Sequence, residues 1–368
     1  MDCGNLDAQS VREMGSPLVS ICVPTHNRAA ALRESMKSIC AQDYAPLDIL
    51  ISDNCSSDET EQVCREIAER DPRVRYVRQP YNIGLYGNHN FCIDEARGEF
   101  FGIFHDHDER SPQIVSRYVE FLRRHPDVGV VCSNWELIDD SGSVIGVRDY
   151  PVEEILPGLE FISQTIRSGR SAVGIPGALV RRAALGDIRF DEQCPIGFGD
   201  FIVWFRLAER ASVGHLQDRL WRWRQQRQSQ SARTIESLTR DYYENLTHYC
   251  DEHLTRWPAH GMLVAGWKND IKRYLFWALA FELGLYFRHQ AGMAQNRALT
   301  KTLFETLNYQ LPPEAVARIL QQMRQYKTGW VQTAAYGIID LLIRIKVTQP
   351  LAWATYYHPS LRSLFGLK

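Results

Sequence analysis

Five consecutive residues, 105–109, carry side chains that bind metals or protons: His105, Asp106, His107, Asp108 and Glu109. They directly follow the segment FFGIF, a short apolar run typical of a buried strand. Because neighbouring carboxylates repel one another, a cation or solvent must offset their charge. Carboxylates two residues apart can bind one hard cation such as Mg²⁺, and a histidine among them favours Mn²⁺ and softer ions. The alternatives are a solvated polar loop and a zinc site, for which suitably spaced further ligands are missing.

Asp53 ends another predicted strand, within the segment ILISDNCSSDET. A carboxylate at the end of a buried strand can contact the base or the ribose of a nucleotide. The same residue types also satisfy backbone N–H groups where a strand turns into a helix. Both interpretations stay open, and Asp53 taken alone favours the turn.

Asp200 stands where a loop enters an amphipathic helix, in the segment GFGDFIVWFRLAER. One interpretation is an N-cap that binds the first N–H groups of the helix. The other is a general base at the edge of a pocket, which would deprotonate an acceptor hydroxyl. Taken alone, Asp200 favours the cap.

Tryptophan and arginine alternate at Trp221, Arg222, Trp223 and Arg224, and Arg227 follows. The alternation predicts a half-buried strand with the arginines on one face. These arginines could neutralise a diphosphate or line an exposed edge. The sequence does not distinguish between these two roles.

Short apolar runs alternate with helical patterns over the first 132 residues. The runs predict strands at 18–23, 49–52, 74–78, 100–104 and 128–132, and the patterns predict helices at 29–41, 60–70, 85–96 and 112–125. Strands separated by helices form a parallel sheet with right-handed crossovers. Ligands of such sheets bind beyond the carboxyl ends of the strands. We therefore expect the polar segments 24–28, 53–58 and 105–109 to converge.

After residue 132 the predicted secondary structure changes twice along the chain. A β-hairpin is predicted over 136–150, turning at 140–142, and the segment 174–200 is rich in loops. From Ile235 the pattern is helical, with breaks near Pro258, Pro312 and Pro350. These changes place a domain boundary near Arg233.

Composition excludes several classes of protein. The 368 residues carry a net charge of -2, so the protein as a whole has no positive electrostatic potential that would attract nucleic acid. The nine cysteines form no C-x-x-C pair, which argues for reduced thiols and against a structural zinc site. The first 16 residues lack the apolar core of a signal peptide, and the apolar segment 274–287 is short enough for a core helix. We therefore expect a cytoplasmic protein without a membrane span.

Four segments resemble, in order, the motifs of the family 2 glycosyltransferases. The family's first strand and loop resemble VSICVPTHNRAAALRESMKSICAQ, and its second strand resembles LDILISDNCSSDET. The segment NIGLYGNHNFCIDEARGEFFGIFHDHDERSP is similar to the part of the family that runs from an Asn-x-Gly turn to the acidic metal motif. The segment GFGDFIVWFRLAER is similar to the family's late acidic motif. The resemblance covers roughly residues 17–232, and the four motifs in register make it specific.

The resemblance implies a fold and a domain organisation. The fold is the α/β GT-A fold, which has a Rossmann-like, mostly parallel sheet flanked by helices. The catalytic domain would comprise residues 17–233, after a polar tail at 1–16 and before an α-helical C-terminal region at 234–368.

The resemblance also implies an inverting transfer of a sugar from a nucleoside diphosphate sugar to a hydroxyl of a glycan or lipid-linked acceptor, in cell-surface polysaccharide synthesis. Asp200 would be the catalytic base. A divalent cation, Mn²⁺ or Mg²⁺, would be bound among Asp106, His107 and Asp108. The residues expected to bind the nucleotide sugar are Pro24, Thr25, Asn27, Arg28, Asp53, Asn82 and Asp106.

Three positions depart from the family pattern. His107 occupies the place of the usual metal-binding Asp, so that either His107 or Asp108 would be the ligand. Gly199 precedes Asp200 where the family has Glu-Asp. The family's Arg-x-His is replaced by Arg224-Gln225-Gln226, which removes any contact from a histidine there.

The departures leave two rival functions. A non-catalytic protein could keep the fold and bind a nucleotide sugar without turnover. A sugar nucleotidyltransferase has a related architecture, but it uses a Gly-rich first loop where this chain has Pro-Thr-His-Asn-Arg.

The helical region raises a separate question about membranes. From Thr300 the chain has more basic than acidic residues, and Trp330–Val347 has a broad apolar face. These helices would pack against the catalytic domain or make peripheral contact with the inner face of the membrane.

Overall fold

The computed structural model describes residues 15–225 and 235–271. Contacts between residues divide the chain into a first unit, 1–165 with 170–232, and a second unit, 166–169 with 233–368. The predicted core helix at 274–287, the basic region from Thr300, Arg227 and almost all of the N-terminal tail lie outside the described residues.

Ten strands of the first unit form one sheet. In chain order they are β1 (Val19–Thr25), β2 (Leu47–Asp53), β3 (Val74–Arg78), β4 (Phe100–Ile103), β5 (Glu109–Arg110), β6 (Val128–Ile138), β7 (Val144–Arg148), β8 (Ile155–Leu156), β9 (Leu179–Arg181) and β10 (Ser212–Arg224). The spatial order is β3-β2-β1-β4-β9-β6-β10-β5, with β7 paired to β6 and β8 paired to β10.

Helices connect these strands at nearly the predicted positions. They are α1 (Ala29–Cys40), α2 (Thr60–Arg70), α3 (Gly84–Glu95), α4 (Ile114–Arg124), α5 (Gly158–Ser168), α6 (Arg182–Leu185) and α7 (Gly199–Ala208). A 3₁₀ turn, Ile175–Gly177, precedes β9. All residues of β1 and β2 are buried, as expected for parallel strands with helices on both faces.

The sheet contains more antiparallel pairing than the sequence predicts. The pairs β1–β2, β2–β3, β1–β4 and β6–β10 are parallel. Strand β9 comes from the segment predicted to be rich in loops, and it pairs antiparallel with both β4 and β6. Strands of two or three residues are too short to show an apolar period, so β5, β8 and β9 escape detection in the sequence. The predicted hairpin is confirmed by β6 and β7, joined through residues 139–143.

The described part of the second unit is helical, as predicted. Helix α8 (Ile235–Arg256) is followed by a 3₁₀ turn, Pro258–His260, at the predicted break, and residues 261–271 are again helical. Tyr249, His253 and Trp267 are buried together there. Among the described residues, no helix is both long and apolar enough to cross a membrane.

Close packing of α4 on the sheet gives a testable prediction. A Cβ atom added at Gly214 in β10 would lie 2.3 Å from Cε1 of Phe121, inside any normal contact. We expect Gly214→Ala to lower the free energy of unfolding by about 1–3 kcal/mol, because overpacking forces the ring or the backbone to move. Urea unfolding followed by circular dichroism measures this loss.

Gly87→Ala is the matched control for this variant. A Cβ atom at Gly87 in α3 would meet its nearest neighbour, Cβ of Ile83, at an ordinary 3.4 Å. Equal stability of the two variants would contradict the tight packing of Phe121 on β10.

Candidate active site

Three polar loops meet at one edge of the sheet, as the sequence predicts. They follow β1, β2 and β4, which lie side by side and run parallel. Strand β1 lies between β2 and β4, so successive crossovers leave it in opposite directions and open a crevice at its carboxyl end. The hydroxyl of Thr25, the last residue of β1, donates to Oδ2 of Asp106 at 2.7 Å and spans this crevice.

Asn27 joins the first loop to the second. Its φ of 53° lies in the left-handed region, which asparagine tolerates better than most residues. Its Oδ1 accepts from the backbone N–H of Ser57 at 2.7 Å, and its own N–H donates to Oγ of Ser56 at 2.9 Å. Pro24 is buried beside Ser52, and the Arg28 N–H donates to Oγ1 of Thr60 at 3.0 Å. The predicted nucleotide residues of the first loop are thus held by the second.

Asp53 is fully buried and bonded within the chain. Oδ1 accepts from the N–H and the hydroxyl of Ser56 at 2.9 and 2.5 Å, and Oδ2 accepts from the Tyr76 hydroxyl at 3.0 Å. The Arg78 guanidinium lies 3.6 Å from Oδ2. Asp53 therefore stabilises the turn after β2, and its contact with a nucleotide stays a prediction.

Asn82 brings in a third loop, which follows β3. Its Oδ1 accepts from Asn54 Nδ2 and from the Gly84 N–H, both at 2.9 Å. Its Nδ2 lies 3.4 Å from Nε2 of His26 in the first loop. The loops at the ends of β1, β2 and β3 are thus joined by hydrogen bonds into one network.

The segment after β4 supplies a group of metal-binding atoms. One ligand atom from each of His105, His107 and Asp108 lies within 4.8 Å of the others. Asp108 is buried, and its Oδ2 has no hydrogen-bond donor among the described residues. These residues fit a divalent metal ion, because an orphaned carboxylate oxygen and two imidazoles offer it three ligands. His105 was not predicted as a ligand; its place in the run 105–109 was the available signal.

Asp106 lies beside this group, and its predicted contacts with the metal and the nucleotide sugar stay predictions. Its Oδ1 lies 2.9 Å from Nδ1 of His107, and its Oδ2 accepts from Thr25. The grouped ligand atoms therefore come from His105, His107 and Asp108, and Asp106 contacts that group through His107.

Burial shifts the pKa values of this segment. Desolvation raises the pKa of Asp108, and the nearby His107 and Arg110 charges offset part of that shift. Desolvation also holds the pKa of His105 well below its usual value. Both shifts favour the uncharged form of the side chain concerned.

Arg110 is a buried cation behind Asp108. Its guanidinium carbon lies 4.7 Å from the centre of the Phe104 ring, and Nη2 donates to the Pro176 carbonyl at 2.7 Å. Nη2 is 3.7 Å from Oδ2 of Asp108. Burial lowers the pKa of Arg110 to about 10, so the group remains charged at neutral pH and compensates Asp108. Nothing in the sequence distinguishes this arginine from a surface one.

The arginines of β10 bind the chain's own acidic segment. Arg222 lies 3.5 Å from Glu109, and Arg224 also pairs with Glu109. The N–H of Arg224 donates to Oδ1 of Asp108 at 2.9 Å, and its Nε donates to the His107 carbonyl at 3.1 Å. These contacts position the metal-binding segment, a role that neither sequence interpretation included.

Asp200 lies in the first turn of α7, and its interpretation as the N-cap is wrong. The N-cap residue is Phe198, and it makes no side-chain capping bond. The Asp200 side chain is partly exposed, yet desolvation by its surroundings raises its pKa to about 6. The helix dipole favours a negative charge in the first turn and would lower the pKa of Asp200. Because the pKa is raised, desolvation outweighs the helix dipole at this position.

Tyr86 links Asp200 to the metal-binding segment. The Tyr86 hydroxyl accepts from the N–H groups of Gly197 and Gly199 at 3.0 and 3.1 Å. Burial and the nearby Asp200 charge raise its pKa. Its ring packs edge-on against His89, whose ring packs edge-on against His105.

Tyr86 also explains one departure from the family pattern. A Cβ atom at Gly199 would lie 2.6 Å from Cζ of Tyr86, so the usual Glu has no space there. The sequence carries no signal for this contact, because the two residues are far apart along the chain.

Comparison with known proteins agrees with this geometry. Residues 20–189 match the family model for glycosyl transferase family 2. A relative from Campylobacter jejuni, GalNAc(5)-diNAcBac-PP-undecaprenol beta-1,3-glucosyltransferase, is 42% identical over 94 residues, which are 25% of this chain and 30% of the relative. The matched segments of the first two curated relatives cover 24% and 30% of their own lengths.

Two solved structures share the fold over most of both chains. S. aureus TarS 1-349 in complex with UDP-GlcNAc is 18% identical with a TM-score of 0.59, covering 89% of this chain and 91% of that one. The mannosyltransferase PcManGT from Pyrobaculum calidifontis, in complex with GDP-Man and Mn²⁺, is 16% identical with a TM-score of 0.51, covering 91% and 89%. Residues 20–189 thus match glycosyl transferase family 2, and the chain shares the GT-A fold of these two solved structures.

Proposed function

We propose that this protein is an inverting glycosyltransferase that moves a sugar from a nucleoside diphosphate sugar to a hydroxyl of a glycan or lipid-linked acceptor. The observation that carries the proposal is the Asp200 carboxyl, which lies at the start of α7 near Tyr86 and whose pKa desolvation raises to about 6. A base with a pKa just below the working pH is deprotonated and still accepts a proton readily. The name of the Campylobacter relative, a glucosyltransferase with a PP-undecaprenol saccharide in its name, supports a lipid-linked acceptor.

The bonded loops after β1, β2 and β3 suit the nucleoside end of the donor. Pro24, Thr25, Asn27, Arg28, Asp53 and Asn82 line or stabilise these loops, and Asp106 joins them to the metal-binding segment. The contacts between loops fix their shape before a ligand arrives, which reduces the entropy lost on binding. The donors bound by the two neighbouring structures, UDP-GlcNAc and GDP-Man, support this class of ligand.

Asp200 would take the proton of the acceptor hydroxyl, whose oxygen attacks the anomeric carbon as the diphosphate departs from the opposite face. A divalent cation, Mn²⁺ or Mg²⁺, would supply positive charge for the departing diphosphate. Tyr86 would keep the Asp200 carboxyl in position through the backbone of residues 197–199. A cytoplasmic location with peripheral membrane contact belongs to the same proposal.

Donor binding is tested first by thermal shift with UDP, GDP and their sugars. A ligand that binds the folded protein raises Tm according to its concentration over Kd. Asp53→Asn should reduce the shift, whereas Tyr76→Phe, which keeps the carboxylate but removes one of its donors, should retain it. Transfer is then measured as acceptor-dependent release of the nucleoside diphosphate. Binding without any release would favour the non-catalytic alternative, and the absence of any shift would contradict a donor site.

The Asp200 base predicts a specific pH profile. The active form is the deprotonated carboxylate, so kcat should fall as the pH drops through about 6, where Asp200 gains its proton. Asp200→Asn should lower kcat by about 10²–10⁴-fold at neutral pH and remove this acidic limb. The matched control is Asp187→Asn, because the Asp187 side chain is 85% exposed. An unchanged kcat in Asp200→Asn would contradict the assigned base.

The contact between Gly199 and Tyr86 predicts a second effect on catalysis. In Gly199→Ala the new methyl group must displace Tyr86 or the start of α7, so kcat should fall while the donor-induced thermal shift stays unchanged. Tyr86→Leu should also lower kcat, because it removes the acceptor for two N–H groups.

The double variant tests whether these two effects share one cause. Because the residues touch, their effects should not add, and the double variant should lose less activity than the product of the two single losses. Strict additivity would show that Gly199 acts independently of Tyr86.

A further inference from the structure

We infer that Asn90 in α3 is a positioning residue for the candidate base Asp200, because it holds the chain segment 190–199 that leads into α7. This inference rests on the proposed function, in which Asp200 takes the proton of the acceptor hydroxyl. Sequence patterns do not single out this residue, since Asn90 is one of two asparagines in α3.

The segment is anchored at its start by a pair of hydrogen bonds between Asn90 and Phe190. The Asn90 Nδ2 donates to the Phe190 carbonyl at 2.9 Å, and the Asn90 Oδ1 accepts from the Phe190 N–H at 2.8 Å. A side-chain amide can bind both backbone groups of one residue, because it donates and accepts at once. The two residues are 100 positions apart, so this pair fixes the segment to a helix that is distant in sequence.

The segment is anchored at its end by the Tyr86 hydroxyl. The hydroxyl accepts from the N–H groups of Gly197 and Gly199 at 3.0 and 3.1 Å, and it donates to the Pro195 carbonyl at 3.2 Å. Tyr86 and Asn90 are four residues apart in one helix, so they lie on the same face of α3. One helix face therefore holds both ends of the segment.

Phe190 packs its ring against the same face of α3. The ring stacks on Tyr86, with ring centres 5.3 Å apart and planes inclined by 7°, and it lies edge-on to His89 at 5.3 Å. Residues 191–193, between the two anchors, are exposed. The N–H groups of residues 193 and 194 bind only as far as Asp191, within a local turn. The anchors on α3 therefore supply the restraint that this exposed stretch lacks.

The second asparagine of α3, Asn88, holds a different part of the protein. Its Nδ2 donates to the Ser52 carbonyl at 3.0 Å, and its Oδ1 accepts from the Ser52 hydroxyl at 2.6 Å. Residues two apart on a helix do not share a face, so Asn88 and Asn90 point in different directions. Ser52 precedes Asp53 at the end of β2, on the side of the proposed nucleotide site. The helix thus holds the donor side through Asn88 and the candidate base through Asn90.

The restraint on segment 190–199 also bears on the acidity of Asp200. Desolvation raises the pKa of Asp200 to about 6. Titratable neighbours here are the Tyr86 phenol from α3 and the Cys194 thiol from the segment itself, and neither is a cation that could stabilise the carboxylate. If the segment loosens, water reaches the carboxylate, and the pKa of Asp200 falls towards its ordinary value.

The experiment compares Asn90→Ala with the parent protein, as the full chain, by hydrogen exchange and by the pH dependence of transfer. The amides of segment 190–199 should exchange about 10–30-fold faster, the change expected when two hydrogen bonds are lost. We expect kcat to fall by about 10–100-fold, because the base is misplaced. The acidic limb of kcat should move below pH 6, and the donor-induced thermal shift should stay unchanged.

Asn88→Ala is the matched control, because it removes two hydrogen bonds of the same kind from the same helix. It should speed exchange at the end of β2 and reduce the donor-induced thermal shift. Exchange of segment 190–199 should stay at the parent rate, and the acidic limb should stay near pH 6. Circular dichroism on heating should show that both variants are folded.

Unchanged exchange of segment 190–199 in Asn90→Ala overturns the inference. Faster exchange with the parent kcat and an unmoved acidic limb also overturns it, because Asn90 would then restrain the segment without positioning the base. An equal shift of the limb in both variants has the same consequence, since it would report a general loosening of α3. A parent protein whose kcat does not depend on Asp200 would overturn the proposed function. Hydrogen exchange needs no turnover, so it separates that failure from a failure of the Asn90 anchor.

Discussion

The buried carboxylate of Asp108 is the constraint on which the rest of the site depends. A charge removed from water needs partners, and the chain provides the Arg224 N–H at 2.9 Å and the Arg110 guanidinium at 3.7 Å. Both arginines belong to the far edge of the sheet, where β5 and β10 pair antiparallel. The loop after β4 can therefore hold its acidic residues only when that edge is assembled. The fold and the metal-binding segment stabilise one another through this one carboxylate.

A second level of organisation comes from short polar side chains at the ends of the parallel strands. Asn27, Asn54 and Asn82 each accept backbone N–H groups from a neighbouring loop or from their own turn. Side-chain amides can do this because they donate and accept at once, so that one residue bonds two segments. The φ of 59° at Cys55 shows that the turn after β2 tolerates an unfavourable backbone conformation. The crevice is thus shaped by contacts between loops as well as by the sheet beneath them.

The position of the candidate base, Asp200, depends on the packing of aromatic side chains against the start of α7. Tyr86 stacks on Phe190, with ring centres 5.3 Å apart, and its hydroxyl fixes the backbone before α7. The ring occupies the space where a side chain at position 199 would lie, so glycine is the residue that fits. Although the Asp200 side chain is partly exposed, desolvation by the packed side chains around it accounts for its raised pKa.

The sequence alone was enough to predict the alternating strands and helices of the parallel part of the sheet. It also predicted the three polar segments that follow β1, β2 and β4. Continuous apolar runs and helical periods are local signals, and parallel strands bring their carboxyl ends to one edge of a sheet. The match to family 2 and the GT-A fold were also predicted from motifs along the chain. Asp106, His107, Asp108 and Asp200 were selected as chemically important for the same reason.

Only the tertiary structure determined which of those side chains contact one another and which other residues compensate their charges. The grouping of His105 with His107 and Asp108, the contact of Asp106 with His107, and the compensation of Asp108 by Arg110 depend on distances across the fold. The short antiparallel strands β5 and β9 and the fit of Gly199 against Tyr86 also depend on such distances. Hydrophobic periodicity and sequence motifs report on residues that are close together along the chain. Charge compensation and steric fit arise between residues that come into contact only after folding.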